Sequence, residues 1–198
     1  MAPVGVRPAS KIVALAASAG GLNALTRVLS ALPADFAAPV LVVQHLDPHH
    51  RSFMAEILRR GVSMPVGQAC AGDRIEPGKI FIAPPDRHLL VSADGALVLS
   101  EAPREQFVRP SADLLFSSLA EVYGAGVIAV VLTGTGRDGA KGVTAVHERG
   151  GTVIVQDHAS SAHAGMPDAA VNTGKADFVL TLEAIAEVLI SLTAQRES

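Results

Sequence analysis

Three features of the sequence predict an α/β fold: a doubly wound, mostly parallel sheet with helices on both faces and an antiparallel hairpin. Apolar runs too short for helices alternate with stretches of helical periodicity. The runs at 12–16, 40–43 and 127–132 are apolar without alternation, as strands buried on both faces are. Residues with turn chemistry, Ala93-Asp94-Gly95, separate two further runs at 89–92 and 96–99 and predict the hairpin.

Taken in order, Met1 to Ser10, with Pro3 and Pro8, reads as an irregular arm before a single domain spanning 11–198. The first strand ends at Ser18 and Gly20-Gly21. A helix follows, with Leu22, Leu25, Val28, Leu29 and Leu32 at helical spacing up to Pro33. The strand at 40–43 leads into Gln44 and His45, then a loop with His49 and His50, then a short helix with Phe53, Met54, Ile57 and Leu58 on one side. Glu101 to Arg109 is polar and reads as an exposed loop. Pro110-Ser111 opens a helix carrying Leu114, Leu115, Leu119 and Val122. The strand at 127–132 precedes the glycine-rich loop Thr133 to Gly139 and a helix with Val143 and Val146, stopped by Gly150-Gly151. A strand at 153–155, a short helix opened by Gly165-Met166-Pro167, a strand near 178–180 and a helix with Leu182, Ile185, Leu189 and Leu192 complete the chain.

Composition excludes several functions. With 198 residues, 49% hydrophobic and 18% charged, the chain fits one well-filled globular domain. A net charge of -3, no Trp and one Tyr leave neither a basic footprint nor stacking platforms for nucleic acid. The single Cys70 excludes an internal disulfide and reads as a packing residue in a Gly/Ala-rich loop. No run approaches the ~18 apolar residues of a membrane span, and the first residues lack a signal peptide's apolar segment. The expectation is a cytoplasmic protein without membrane insertion.

Three polar residues follow three buried runs: Ser18, His45 and Asp138. Strand ends of one parallel sheet point to one edge, so serine, imidazole and carboxylate can converge there as a nucleophile, a base and its orienting partner. Each has a plainer reading, as a helix cap, a loop histidine and a second cap. The order Ser–His–Asp differs from that of α/β-hydrolases, chymotrypsin and subtilisin. Gly134 to Gly139 also spells G-x-G-x-x-G after a strand and before a helix, with Asp157 at the next strand's end. A dinucleotide-binding module is therefore the runner-up, although Asp138 would set a negative charge beside a pyrophosphate. A non-catalytic interaction domain is the third reading. His45 and His49 are separated by Pro48, and no H-E-x-x-H or Cys cluster exists, so neither metal nor cofactor is expected.

Five blocks together resemble the catalytic domain of bacterial chemotaxis protein-glutamate methylesterases. They are Ala17-Ser18-Ala19-Gly20-Gly21; Val43-Gln44-His45 with Arg51-Ser52-Phe53; Ile82-Ala83-Pro84 with His88; Arg109-Pro110-Ser111 with Asp113; and Leu132 to Gly139 with Gly165-Met166-Pro167. The resemblance spans about residues 11–192. It implies hydrolysis of glutamate γ-methyl esters on the signalling helices of chemoreceptors, and some members also deamidate glutamines. By resemblance, Ser18 is the nucleophile, His45 the base and then acid, and Asp138 its buried partner. The oxyanion donors fall on the backbone amides of Ala19 and Thr135. Many members carry Thr after the serine and Met between the glycines, so these two positions reshape the pocket. The family's usual receiver domain is not expected in this chain, whose first strand begins near residue 11. Arg51 and Arg109 are candidates for binding acidic substrate segments.

Overall fold

The structure, a computed structural model, describes residues 11–45 and 52–194. Its elements in chain order are β1 (Ile12–Ala17), α1 (Gly21–Ser30), β2 (Val40–Gln44), α2 (Met54–Leu58), β3 (Val66–Gln68), β4 (Ile80–Ile82), β5 (His88–Val91), β6 (Leu97–Ser100) and α3 (Ala112–Tyr123). They continue as β7 (Val127–Val131), α4 (Ala140–Glu148), β8 (Thr152–Gln156), α5 (Gly165–Val171), β9 (Phe178–Leu180) and α6 (Leu182–Thr193).

The main sheet has seven parallel strands in the order β3-β4-β2-β1-β7-β8-β9. β1 lies at its centre, with Leu15 paired to Val42 on one side and Val130 on the other. Every residue of β1 and β7 is buried, which is why neither shows the alternation of a half-solvated strand. Side chains of β1 divide between two cores. Val13, Leu15 and Ala17 pack with α1, α2 and α6, whereas Ile12, Ala14 and Ala16 pack with α3, α4 and α5.

This division creates the site. From β1 the chain passes through α1 to β2 on one side, and from β7 through α4 to β8 on the other. The helices lie on opposite faces, so the loops after β1 and β7 part at their carboxyl ends and leave a crevice between them.

The hairpin forms as expected. β5 and β6 pair antiparallel with Leu89 opposite Leu99, turning through Gly95 at φ 79°. It covers α3, where Ser118 Oγ accepts a hydrogen bond from the Val91 amide at 3.2 Å.

One strand goes unread in the sequence and two local readings need correction. β3 has only Val66 buried, so no apolar run marks this edge strand in the sequence. Cys70, just past β3, is exposed and does not pack in a core. At α2, Met54 and Leu58 are buried, but Phe53 and Ile57, each one position earlier around the helix, are 57% and 44% exposed, so the core-facing stripe is narrower than the four apolar residues.

Where α4 crosses α3, Gly142 allows the backbones to meet. A Cβ there would stand 2.7 Å from the Phe116 Cβ and 3.0 Å from the Asp113 Cα. Gly142→Ala should therefore cost about 1–3 kcal/mol through overpacking, despite alanine's better helix propensity. Denaturant unfolding checks this, and an unchanged midpoint would show that the helices separate freely.

Candidate active site

Ser18 follows β1 directly. Its amide donates to the Thr133 carbonyl at 3.0 Å, tying the β1 loop to the β7 loop across the crevice. Its hydroxyl does not cap α1: the cap position is Gly20, at φ 76°, with no side-chain bond to the helix. The plain reading of this serine therefore fails, and its Oγ has no hydrogen-bond partner among the described residues.

His45 leaves β2 one residue beyond the Ala17–Gln44 register pair and donates its amide to the Ala17 carbonyl at 3.1 Å. That places it beside Ser18 on the neighbouring strand. Its Nε2 lies 2.8 Å from Asp138 Oδ2, with the imidazole 12% and the carboxylate 3% exposed. Because an ionised carboxylate only accepts, Nε2 carries a proton toward Asp138, which leaves Nδ1 as the ring nitrogen able to exchange one. Nδ1 has no partner among the described residues.

Asp138 is held by four donors. Oδ1 accepts from Ser111 Oγ at 2.8 Å and the Asp113 amide at 3.1 Å; Oδ2 accepts from the Ala112 amide at 2.6 Å and His45. The carboxylate thus caps the start of α3, not that of the helix following it. Burial alone would push its pKa up, but the bond from His45, the Ala112 amide and the charge of His45 hold it below the usual carboxylate value. Asp113 answers in the opposite direction: its Oδ1 accepts from the Gly139 and Gly142 amides at 2.9 and 2.8 Å, capping α4. Burial, reinforced by the neighbouring Asp138 charge, outweighs these amides and raises the pKa of Asp113.

This crossed pair also bears on the dinucleotide reading. The amides at the start of α4, where a pyrophosphate would sit, already bind the Asp113 carboxylate. Asp157 accepts the Ser160 amide at 2.8 Å. G-x-G-x-x-G here serves close packing instead. A Cβ on Gly134 would meet the Ser18 Cβ at 2.8 Å, and the Gly134 amide and carbonyl pair with the His163 carbonyl and Met166 amide at 2.8 and 2.9 Å. This explains the Gly165-Met166-Pro167 block, whose Gly165 abuts the Gly134 and Gly136 backbone. The amides of Ala19 and Thr135 donate to no acceptor among the described residues. Two free N–H groups on the loops flanking Ser18 are what a developing oxyanion requires.

Arg109 is engaged elsewhere. Its Nε and Nη2 donate to Asp86 Oδ1 at 3.0 and 2.7 Å, and Nη1 to the carbonyls of Glu101 and Ala102. It pins the loop after β6, and its forks are not open to a substrate carboxylate. Arg51 lies outside the described residues.

Two supports carried no role in the sequence reading. Buried Gln44 donates through Nε2 to the carbonyls of both Ser18, at 2.8 Å, and His45, at 3.0 Å. Gln156, ending β8, accepts the Thr133 amide at 2.8 Å and donates to the Ser160 carbonyl. Both are polar residues closing an apolar strand, the one signal that could have marked them.

The fold and the site define a doubly wound α/β domain whose polar site occupies its topological switch point. The CheB methylesterase family matches residues 13–189, and the chain belongs to that family. It is 47% identical over 184 residues to "Protein-glutamate methylesterase/protein-glutamine glutaminase 3" of Anaeromyxobacter dehalogenans, covering 92% of this chain and 54% of that protein. A similarly named protein of Moorella thermoacetica is 41% identical, over 95% of this chain and 45% of its own. The chain thus spans about half the length of the curated relatives it matches. The CheB methylesterase catalytic domain of Thermotoga maritima superposes with a TM-score of 0.89 at 38% identity, covering 92% of this chain and 98% of that one.

Gln44→Leu removes both clips between serine and histidine. The expected result is a fall in kcat of roughly 100-fold with KM little changed, since small misplacements of reacting groups carry such penalties. Equal loss in both parameters would contradict a positioning role.

The carboxylates also predict opposite pH effects. Asp138, with a lowered pKa, lends stability that is complete above the ordinary aspartate value of 3.8 and is lost as pH falls through its folded value. Asp113, with a raised pKa, lends stability that is complete below 3.8 and is lost as pH rises through its folded value. Unfolding of Asp113→Asn and the parent chain at pH 4 and 7 should show their stability difference moving against the parent as pH rises. A constant difference would refute this.

Proposed function

We propose that this chain is a serine esterase that hydrolyses glutamate γ-methyl esters on the cytoplasmic signalling helices of chemoreceptor-type proteins. The observation that carries the proposal is the buried His45–Asp138 bond set beside an uncapped serine, with Nδ1 of the imidazole unpartnered. The names of the relatives support the substrate class, and their glutaminase names support deamidation of glutamine side chains at the same site.

In the first half-reaction His45 Nδ1 takes the Ser18 proton as Oγ attacks the γ-carbonyl carbon. The carbonyl oxygen becomes an oxyanion between the Ala19 and Thr135 amides. Asp138 stabilises the imidazolium, which then protonates the departing methoxide and releases methanol. In the second half-reaction His45 takes a proton from water, which attacks the acyl carbon. The imidazolium returns its proton to Ser18, and glutamate leaves. With a glutamine substrate the leaving group is ammonia, and the remaining steps are the same.

The test is methanol release from a receptor cytoplasmic fragment carrying tritiated methyl esters. Ser18→Ala should lower turnover by roughly 1,000-fold or more at unchanged thermal stability. Release at the parent rate would overturn the proposal.

A further inference from the structure

The segment between β6 and α3 contains a turn over residues 105–108, closed by the Val108 amide donating to the Glu105 carbonyl at 2.9 Å. Its central residues, Gln106 and Phe107, have φ of 48° and 69°. Consecutive left-handed residues make a turn that ordinarily takes Asn and Gly. Here a glutamine and a phenylalanine hold it.

Three side-chain bonds lash the turn in place. Gln106 Nε2 donates to Asp113 Oδ2 at 2.6 Å, Arg137 Nε donates to Gln106 Oε1 at 3.2 Å, and Lys141 Nζ donates to Glu105 Oε1 at 2.8 Å. The turn is thereby tied to the first turn of α3 and to the loop that carries Asp138. Yet Phe107 gains no core from this arrangement, being 93% exposed. Disfavoured backbone held by surrounding bonds is a mark of functional positions, and a rigidly presented aromatic loses little entropy when a partner covers it.

Charge identifies the partner. Around this rim Lys141 pairs with Glu105, Arg87 with Glu101, and Arg104 and Arg109 with Asp86. Arg137, adjacent to Asp138, meets no carboxylate at ion-pair distance among the described residues, and the neutral Gln106 is its hydrogen-bond partner. A carboxylate on a docked helix would find Arg137 uncommitted to any other among the described residues. Residues three or four apart share a face of such a helix, so an apolar side chain one turn from the ester can lie against a fixed aromatic.

We propose that Phe107 and Arg137 form the docking edge for the helical substrate, Phe107 receiving an apolar side chain and Arg137 an unmethylated glutamate near the ester. This rests on the methylesterase reading and adds the surface that selects a helix. Gln106, bonded to both Arg137 and Asp113, fixes this edge relative to the His45–Asp138 pair.

The experiment measures kcat and KM for methanol release from the tritiated receptor fragment. Phe107→Asn suits the left-handed turn and removes the ring, so it should melt no lower than the parent chain. Its KM should rise roughly tenfold or more with kcat within about threefold, the signature of lost binding. Phe107→Leu should recover most of the affinity, and Arg137→Glu should raise KM and weaken its dependence on salt. An unchanged KM in Phe107→Asn, a fall confined to kcat, or an effect on self-association in place of KM would overturn the docking edge alone. A parent chain that releases no methanol overturns the methylesterase reading, and the docking edge with it.

Discussion

Everything at the carboxyl edge of the sheet depends on how the buried Asp138 carboxylate is satisfied. An ionised group so far from water persists only where its lone pairs are filled, and four donors fill them here: a hydroxyl, two helix-start amides and an imidazole. Because two of those donors begin α3, the helix cannot move without the carboxylate. Asp113 returns the arrangement by capping α4. The two helices are locked through their crossed caps, and the imidazole is oriented by the same charge. One residue thus holds both a helix start and the imidazole.

The crevice follows from topology. With β1 central and the chain leaving β1 and β7 toward opposite faces, the Ser18 and Gly134 loops face each other without a strand between them. Glycine at 134 lets its backbone lie against Ser18. Strand-terminal glutamines then fix both loops from below, Gln44 holding the serine and histidine carbonyls and Gln156 the Thr133 amide. The Ala19 and Thr135 amides on these loops keep no acceptor among the described residues.

Much of this was legible in the sequence, and the reasons differ by element. Buried parallel strands such as β7 announce themselves because both faces demand apolar residues, whereas the edge strand β3 buries one side chain and leaves no trace. His45 and Asp138 were readable as strand-end residues, and the structure joins them at 2.8 Å. Ser18 was ambiguous because serine before a helix is usually a cap; only backbone geometry, with Gly20 left-handed at the cap position, removes that reading. Arg109 misled for a related reason. A charged residue in a polar loop resembles a substrate contact, but the Asp86 that occupies it lies 23 positions away. Asp113 and Gln44 stand in the sequence blocks without a role, because their roles are bonds to backbone groups distant in sequence, which no periodicity encodes.

The central claim is that Ser18 is a nucleophile activated by His45 and oriented by Asp138. The most direct measurement is reaction with a serine-directed fluorophosphonate, with the modified residue located by mass spectrometry. One adduct is expected, on Ser18, formed slower by orders of magnitude in Asp138→Asn. An adduct on another serine, or equal rates in the two proteins, would contradict it.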